Sequence, residues 1–399
     1  MSNLVELIKS KYKEYEKQAV DIRRHLHSNP ELGTKEVKTQ QFIIDTLKEH
    51  GIVGTKIADT GVVALIKGTK QGEINKTILV RSDIDALPIK EETGSSFASL
   101  NDGVMHACGH DGHITNLLIS AFILKDLCNE YSGNIKLAFQ PAEESIGGAE
   151  RMIEAGILEN PKVDAAIGLH VSATDPANNV YTKYDGFWAS VDSFRIKIIG
   201  FGGHGAIPHK TIDPINIGVQ FINSAQNIIS RKIDPADPAV ISFCKFNSGE
   251  VFNAIPTEAF IGGTFRTVNN EMRKYIKVKL EQILKGVCEA NDAKYEFATG
   301  HGTAALVNDN NMVDLLLESA EKQVGKTNVH LLNAPMMVGD DFSYFGQHVP
   351  AVYFMVGSHD GQSEKYGLHN SKFLFKEENF FPTSIAVTVQ ATIDFLNKK

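Results

Sequence analysis

The stretch Thr77-Ile78-Leu79-Val80-Arg81-Ser82-Asp83-Ile84-Asp85 decides the fold class that we expect. It begins as an apolar run of strand length and ends in two carboxylates. Apolar runs of the same kind lie at residues 62–67, 135–139 and 165–169, with helical stretches near 112–127 and 147–156 between or beside them. Strands that alternate with helices are typical of parallel sheets covered on both faces. The pattern therefore predicts an α/β protein with a doubly wound, mostly parallel sheet.

A different pattern begins near Ala189. Strand-like alternation at 193–199, 240–246, 259–267 and 294–298 is interrupted by amphipathic helical stretches at 213–231 and 271–290. The order β-α-β-β-α-β is that of the ferredoxin-like split unit. We therefore expect an inserted ferredoxin-like α+β domain at 187–299. Residues 1–186 and 300–399 should then form one discontinuous domain around the parallel sheet.

The composition and net charge indicate which kinds of molecule the protein is not expected to bind. Hydrophobic residues make up 42% of the 399 residues and charged residues 22%, which is typical of a globular protein. A net charge of −8 disfavours binding to nucleic acid or to an anionic membrane. No apolar run approaches the roughly 18–20 residues of a membrane span, and the first residues lack the apolar core of a signal peptide. Four cysteines without a Cys-x-x-Cys pair do not indicate a disulfide framework, so a cytoplasmic location is expected.

The densest group of chemically active side chains is MHACGHDGH at residues 105–113. Thiolate and imidazole are ligands of transition metals, and Cys108 and His110 can project together from an extended segment. His113 should lie one turn into the following helix, where packing is its simplest role. Nearer the N-terminus, His25 and His27 are expected to be structural.

Acidic or imidazole side chains also follow three of the predicted strands: Asp83 and Asp85 after 77–81, Glu143 and Glu144 after 135–139, and His170 after 165–169. The carboxyl ends of strands in an open α/β sheet meet at one edge, where binding sites gather. A metal there would polarise a carbonyl group and lower the pKa of a water molecule, whose proton a nearby carboxylate removes. Adjacent carboxylates can divide this work, because one coordinates metal while the other acts as base.

Further short segments lie in order along nearly the whole chain: HLHSNPELG (25–33), DIDALP (83–88), QPAEE (140–144), GLH (168–170), GGHGAIPH (202–209), NAIP (253–256) and GTFR (263–266). Together with 105–113 they resemble the metallo-amidohydrolase family of hippurate hydrolases, auxin-conjugate (indole-acetyl-amino acid) hydrolases and N-acetyl-diaminopimelate deacetylases. That family lies within the aminoacylase and carboxypeptidase G metallopeptidase clan. The resemblance implies hydrolysis of the amide bond of an N-acyl (acetyl, aryl or indole-acetyl) amino acid.

The resemblance also implies a set of site residues. Two divalent metal ions per subunit would be held by Cys108, His110, Glu144, His170 and His369. Glu143 would be the general base. The clan's His-x-Asp is replaced here by Asp83-Ile84-Asp85, so Asp85 keeps the position of the catalytic aspartate and is expected to orient a metal ligand by a hydrogen bond. Thiolate softness favours Zn²⁺, whereas the resemblance suggests Mn²⁺.

For the inserted domain, the resemblance implies the role of a lid and a dimerisation domain. His204 would stabilise the tetrahedral oxyanion, in many relatives from the partner subunit of a homodimer. Asn253 and Arg266 would help to bind the carbonyl or carboxylate of the substrate.

Two other functions are compatible with the same residues. Cys108 could be the nucleophile of a thiol hydrolase, with His110 or His170 as its base. This mechanism gives Glu143 and Glu144 no role in catalysis. A non-catalytic binding or scaffold protein could have inherited the fold, but it should have lost Glu143. We expect the metal-dependent enzyme.

Overall fold

A computed structural model of the chain describes residues 2–72, 75–145, 147–300 and 302–398. The chain divides into two compact units. The first contains Met1–Asp185, Asn308–Ala334 and Asp341–Lys399, and the second contains Gly186–Val307 and Pro335–Asp340.

The helices of the described residues are α1 (Ser2–Ser28), α2 (Val37–Glu49), α3 (His110–Asp126), α4 (Gly148–Glu154), α5 (Pro214–Lys232), α6 (Asn270–Glu289), α7 (Asn310–Val324), α8 (Ser343–Gly346) and α9 (Glu377–Asn397). The strands are β1 (Gly54–Ile57), β2 (Gly61–Lys67), β3 (Thr77–Asp83), β4 (Asn134–Gln140), β5 (Ala165–Pro176), β6 (Val180–Thr182), β7 (Asp185–Trp188), β8 (Asp192–Ile199), β9 (Gly203–His204), β10 (Ala239–Asn247), β11 (Ala254–Ile255), β12 (Glu258–Thr267), β13 (Lys294–Thr299), β14 (Leu306–Asn308), β15 (Val329–Leu331) and β16 (Ala351–His359).

The first unit is built on a large mixed sheet with the strand order β1-β2-β4-β3-β5-β16-β6-β15. Its centre is parallel, because β3 pairs in parallel with β4 and β5, and β5 with β16. The outer strands β1 and β2 are antiparallel. Every residue of β3, β4 and β16 is buried, as expected for strands covered on both faces. The predicted α/β class with a mostly parallel sheet is confirmed.

Helices cover this sheet through apolar faces. α3 and α9 are buried along most of their length, and α1 contacts both of them. α3 follows directly on the Cys108-Gly109 segment, so the packing of this helix also fixes the position of the residues at its first turn.

The second unit contains an antiparallel sheet with the order β10-β12-β8-β13. Along the chain its elements run β8-α5-β10-β12-α6-β13, which is a β-α-β-β-α-β order. α5 and α6 pack on the sheet over a core that includes Phe194, Phe221 and Phe265. Asp213 and Asn269 cap the two helices by accepting hydrogen bonds from backbone N–H groups of the first turns.

None of the helices in the described part of the chain combines the length and hydropathy that crossing a membrane requires.

Candidate metal centre

Gly109 sets the geometry of the Cys108-His110 pair. Its φ is +87°, in the left-handed region, and it is the residue before the first turn of α3. A Cβ at this position would lie 2.5 Å from the Val171 Cγ1. Glycine adopts the left-handed conformation without the steric cost of a side chain and leaves room for β5. The turn brings Cys108 and His110, both buried, to the edge of the sheet.

Three strands supply the other polar groups of this edge. Asp83 is the last residue of β3, and the turn with Glu143 and Glu144 follows β4. β5 does not end before His170 as the apolar run suggested, but continues to Pro176. The reason is long-range pairing, since β16 runs beside β5 with Met355 opposite His170.

The structure brings together all five residues expected to bind metal. The Cys108 Sγ lies 3.4 Å from the His170 Nε2 and 3.3 Å from the His369 Nε2. The His369 Nε2 lies 3.1 Å from the Glu144 Oε1. One ligand atom each from Cys108, His110 and His170 lie within 4.8 Å of one another, and so do those of Cys108, Glu144 and His369. Cys108 belongs to both groups.

In their neutral forms, His110 and His170 carry the proton on Nδ1, the nitrogen that faces away from this cluster. The His110 Nδ1 lies 2.9 Å from the Asp85 backbone oxygen, and the His170 Nδ1 lies 2.8 Å from the Val171 backbone oxygen. Because a carbonyl oxygen can only accept, each Nδ1 must donate, and each neutral ring keeps its lone pair on Nε2. The His110 Nε2 is buried and has no hydrogen-bond partner among the described residues. Its environment fits a metal ligand.

The electrostatics of the cluster fit a cation. Burial raises the pKa of the Cys108 thiol well above its usual range, and the charges of Glu144 and Glu143 add to this shift. Burial lowers the pKa of His110, but the Asp83 charge and the contact with Asp85 outweigh it and raise the value to about 10. A divalent cation would reverse the penalty on the thiolate. With sulfur, imidazole and carboxylate donors together, the residues fit a transition metal.

Asp85 and Glu143 lie beside these ligand atoms. The Asp85 Oδ2 accepts a hydrogen bond from the Glu144 backbone N–H at 3.0 Å, and its Oδ1 lies 3.3 Å from the His110 Nδ1. Glu143 is half-buried, and one of its carboxylate oxygens lies within 4.8 Å of ligand atoms of His110 and Glu144. Asp85 thus touches two of the expected metal-binding residues.

Two buried residues near the cluster, Asp83 and His113, were not among the predicted site residues. His113, expected to pack at the beginning of α3, instead has both ring nitrogens hydrogen-bonded, and one partner is Asp83 at 2.7 Å. The signal for Asp83 was its place at the end of β3, but its pairing with His113 depends on how α3 lies on the sheet.

The histidines of α1 differ in surroundings. The His27 Nδ1 lies 2.8 Å from the Asp111 Oδ2, and the Arg23 Nε donates to the same oxygen at 2.9 Å. His25 stacks on Phe42 with ring centroids 4.3 Å apart. Both residues make the structural contacts that we expected.

The remaining predicted residues lie in the second unit and are partly or fully exposed. His204 pairs with Ala254 between β9 and β11, and its Nδ1 accepts a hydrogen bond from the Ala206 N–H at 3.1 Å. The neutral ring therefore carries its proton on Nε2, which can donate. The Asn253 backbone oxygen accepts a hydrogen bond from the Gly205 N–H at 2.9 Å, so Asn253 lies beside the segment that carries His204. Arg266 is half-buried on β12.

A sequence model of a known protein family matches most of the chain. The model of peptidase family M20/M25/M40 matches residues 79–393. The chain belongs to this family. It is an M20 amidohydrolase, a hydrolase that acts on amide bonds.

Relatives of this M20 amidohydrolase cover most of its length. It is 37% identical over 377 residues to the hippurate hydrolase of Campylobacter jejuni, which covers 94% of the chain and 95% of that relative. It is 43% identical over 288 residues to the N-acyl-L-amino acid amidohydrolase of Geobacillus stearothermophilus, covering 72% of the chain and 76% of that relative. The crystal structure of a Bacillus subtilis dinuclear metal-binding peptidase of the M20 family superposes with a TM-score of 0.80 at 31% identity, covering 97% of the chain and 100% of that structure.

Proposed function

We propose that the chain hydrolyses the amide bond of an N-acyl amino acid with two divalent metal ions and Glu143 as the general base. The observation that carries the proposal is the convergence of five donor side chains, in which the buried His110 Nε2 has no hydrogen-bond partner among the described residues. The names of the hippurate hydrolase and N-acyl-L-amino acid amidohydrolase relatives support the substrate class.

The metals would be held by Cys108, His110, Glu144, His170 and His369. When bound, divalent ions supply Lewis acidity, which polarises a carbonyl group and makes water a stronger acid. Zn²⁺ suits the thiolate, and the dinuclear metal binding of the Bacillus subtilis neighbour supports a pair of ions. Mn²⁺ remains the alternative metal in the proposal.

The carboxylates of the turn after β4 divide the work. Glu144 lies against His369 and would coordinate. Glu143 would remove a proton from the attacking water and return it to the leaving amine. Asp85 would hold both the Glu144 backbone and the His110 ring. These contacts would fix the positions of the metal ligands relative to the general base Glu143.

We assign substrate contacts to the second unit. The Nε2–H of His204 would donate to the developing oxyanion, and Asn253 and Arg266 would bind the carbonyl or carboxylate of the substrate. The unit would act as a lid and as the contact of a homodimer, with His204 delivered to the partner's site or to its own.

The thiol-hydrolase alternative has one geometric argument, the 3.4 Å separation of the Cys108 Sγ and the His170 Nε2. Reactive cysteines, however, have a lowered pKa and partial exposure, whereas burial raises the pKa of Cys108. Nucleophilic attack would also leave Glu143 and Glu144 unused.

Metal removal separates the two mechanisms. The purified chain should lose hydrolysis of N-acetyl, N-benzoyl and indole-acetyl amino acids after chelation and dialysis, and should regain it with Mn²⁺ or Zn²⁺. Undiminished activity in the metal-free chain would support the thiol mechanism. A chain that binds metal fully but cleaves none of these compounds would show that the substrate class is wrong.

A further inference from the structure

We propose that a buried chain of hydrogen bonds, from Arg81 through Asp83 and His113 to Val171, positions His170 for metal binding. The inference rests on the proposed metal site. It assigns Asp83 and His113 the role of positioning residues, which hold a ligand without coordinating metal themselves.

The first link neutralises a buried charge. Asp83 is fully buried, and its Oδ2 accepts a hydrogen bond from the Arg81 Nη1 at 2.6 Å. Its Oδ1 lies 2.7 Å from the His113 Nδ1. A buried carboxylate is stable only when paired and hydrogen-bonded, and here each oxygen has a partner. The Oδ2 is also 3.7 Å from the His110 Nε2, so Asp83 lies beside the ligands while both of its oxygens are held.

The second link fixes the ring of His113. Its Nε2 accepts a hydrogen bond from the Val171 N–H at 2.9 Å, so the proton of the neutral ring is on Nδ1 and is donated to Asp83. Both nitrogens are therefore used, and the ring has no lone pair left for a metal. β3 pairs with β5 only as far as Arg81 and Gly168. Beyond that point His113 gives the strand backbone a partner that β3 does not supply.

The third link reaches the ligand. Val171 follows His170 in β5, and its backbone oxygen accepts the hydrogen bond from the His170 Nδ1 at 2.8 Å. The His113 ring also contacts the His170 ring directly, with centroids 4.6 Å apart at an angle of 74°. Val171 is thus held on its N–H by His113, while its oxygen sets the tautomer and direction of His170. Loss of such outer contacts typically lowers metal affinity about 10–100-fold.

Two substitutions of His113 test its two hydrogen bonds separately, the one with Asp83 and the one with Val171. We call the chain of hydrogen bonds from Arg81 to Val171 the relay. A glutamine places its oxygen near the position of the ring Nε2 and can still accept from Val171, whereas an asparagine reaches only the position of Nδ1 and Asp83. We expect His113→Asn to weaken the binding of Mn²⁺ or Zn²⁺ by about 10–100-fold and His113→Gln by only a few-fold. The dissociation constant is measured by competition with a chromophoric chelator, together with the metal stoichiometry.

A matched control is Asn308→Leu. The Asn308 Oδ1 accepts a hydrogen bond from the Tyr353 N–H of β16 at 2.8 Å, the same kind of contact between a side chain and a strand. This variant should lose thermal stability and keep wild-type metal affinity. If His113→Asn does not fold, Asp83→Asn is the milder variant, since it keeps an acceptor for His113 but loses the charge opposite Arg81. Its metal affinity should fall while its stoichiometry stays that of the wild type.

Wild-type affinity in both His113→Asn and Asp83→Asn would overturn the relay. Equal losses in His113→Gln and His113→Asn would also overturn it, because Val171 would then not be the contact that matters. Loss of one whole metal equivalent in Asp83→Asn would make Asp83 a ligand instead. A wild-type chain without metal affinity would refute the proposed function as well, whereas these other results leave that function intact.

Discussion

Cys108 links two parts of the candidate site, because its sulfur lies within 4.8 Å of possible ligand atoms of His110 and His170 and also of those of Glu144 and His369. Removing a direct ligand should cost at least the ~10–100-fold in metal affinity that the loss of an outer contact costs. We expect Cys108→Ala to lose metal, and to lose activity as a consequence. Elemental analysis of the purified variant measures this. Cys244→Ala, at an exposed cysteine, is the control that should keep both. A Cys108→Ala protein with full metal and no activity would favour a nucleophilic thiol.

Some residues of the candidate site could be proposed from the sequence because the residues around them carry the signal. Cys108 and His110 are close in sequence, and Glu143 and Glu144 follow an apolar strand run. His369 had only a weak signal of its own. It lies at φ +63° in a loop, with its N–H donated to Ala107, and reaches Cys108 only through the tertiary fold.

At the scale of elements, a substitution of Gly109 tests whether the left-handed turn before α3 is needed for stability and for metal binding. Gly109→Ala should lower the free energy of unfolding by about 1–3 kcal/mol, because a left-handed φ is costly for alanine. Its Cβ would also press on Val171, so metal affinity should fall. Denaturant unfolding and metal titration measure the two effects.

Gly286→Ala is the matched control, since this position lies within α6 and nothing is within 4 Å of its Cβ. Alanine is favoured over glycine inside a helix by roughly 0.5–1 kcal/mol, so this variant should be slightly more stable. If Gly109→Ala gained stability in the same way, the account of the turn would be wrong.

The central strands could be predicted because burial on both faces makes them continuous apolar runs. β16 was not among the predicted strands although it is fully buried. An apolar run without alternation does not distinguish a strand from a buried helix. The order of the sheet, with β3 between β4 and β5 and β16 beside β5, depends on long-range pairing that no local pattern contains.

At the scale of the whole molecule, the inserted β-α-β-β-α-β order was visible in the sequence, but the return of Pro335–Asp340 to the second unit was not. Met336 donates its N–H to the Phe187 oxygen, a contact between segments far apart in the chain. Only the folded chain brings such segments together.

The proposed role of His204 is tested by the kinetics of a variant and of mixed dimers. An oxyanion donor is typically worth about 10²–10³ in rate, so His204→Ala should lower kcat by that factor, raise KM less and leave the metals in place. Mixing it with Glu143→Gln under proven subunit exchange tests delivery between subunits. Regained activity would support transfer across a dimer, and mixtures that stay inactive would place His204 in its own chain's site or outside catalysis.

The kinetics and metal content of Glu143→Gln test the central claim most directly. The account predicts metal content equal to the wild type, because Glu144 keeps the coordination, and a kcat lower by about 10²–10⁴, the usual contribution of a general base. Glu144→Gln is the adjacent control and should lose metal. A Glu143→Gln variant with full metal and normal turnover would contradict the account.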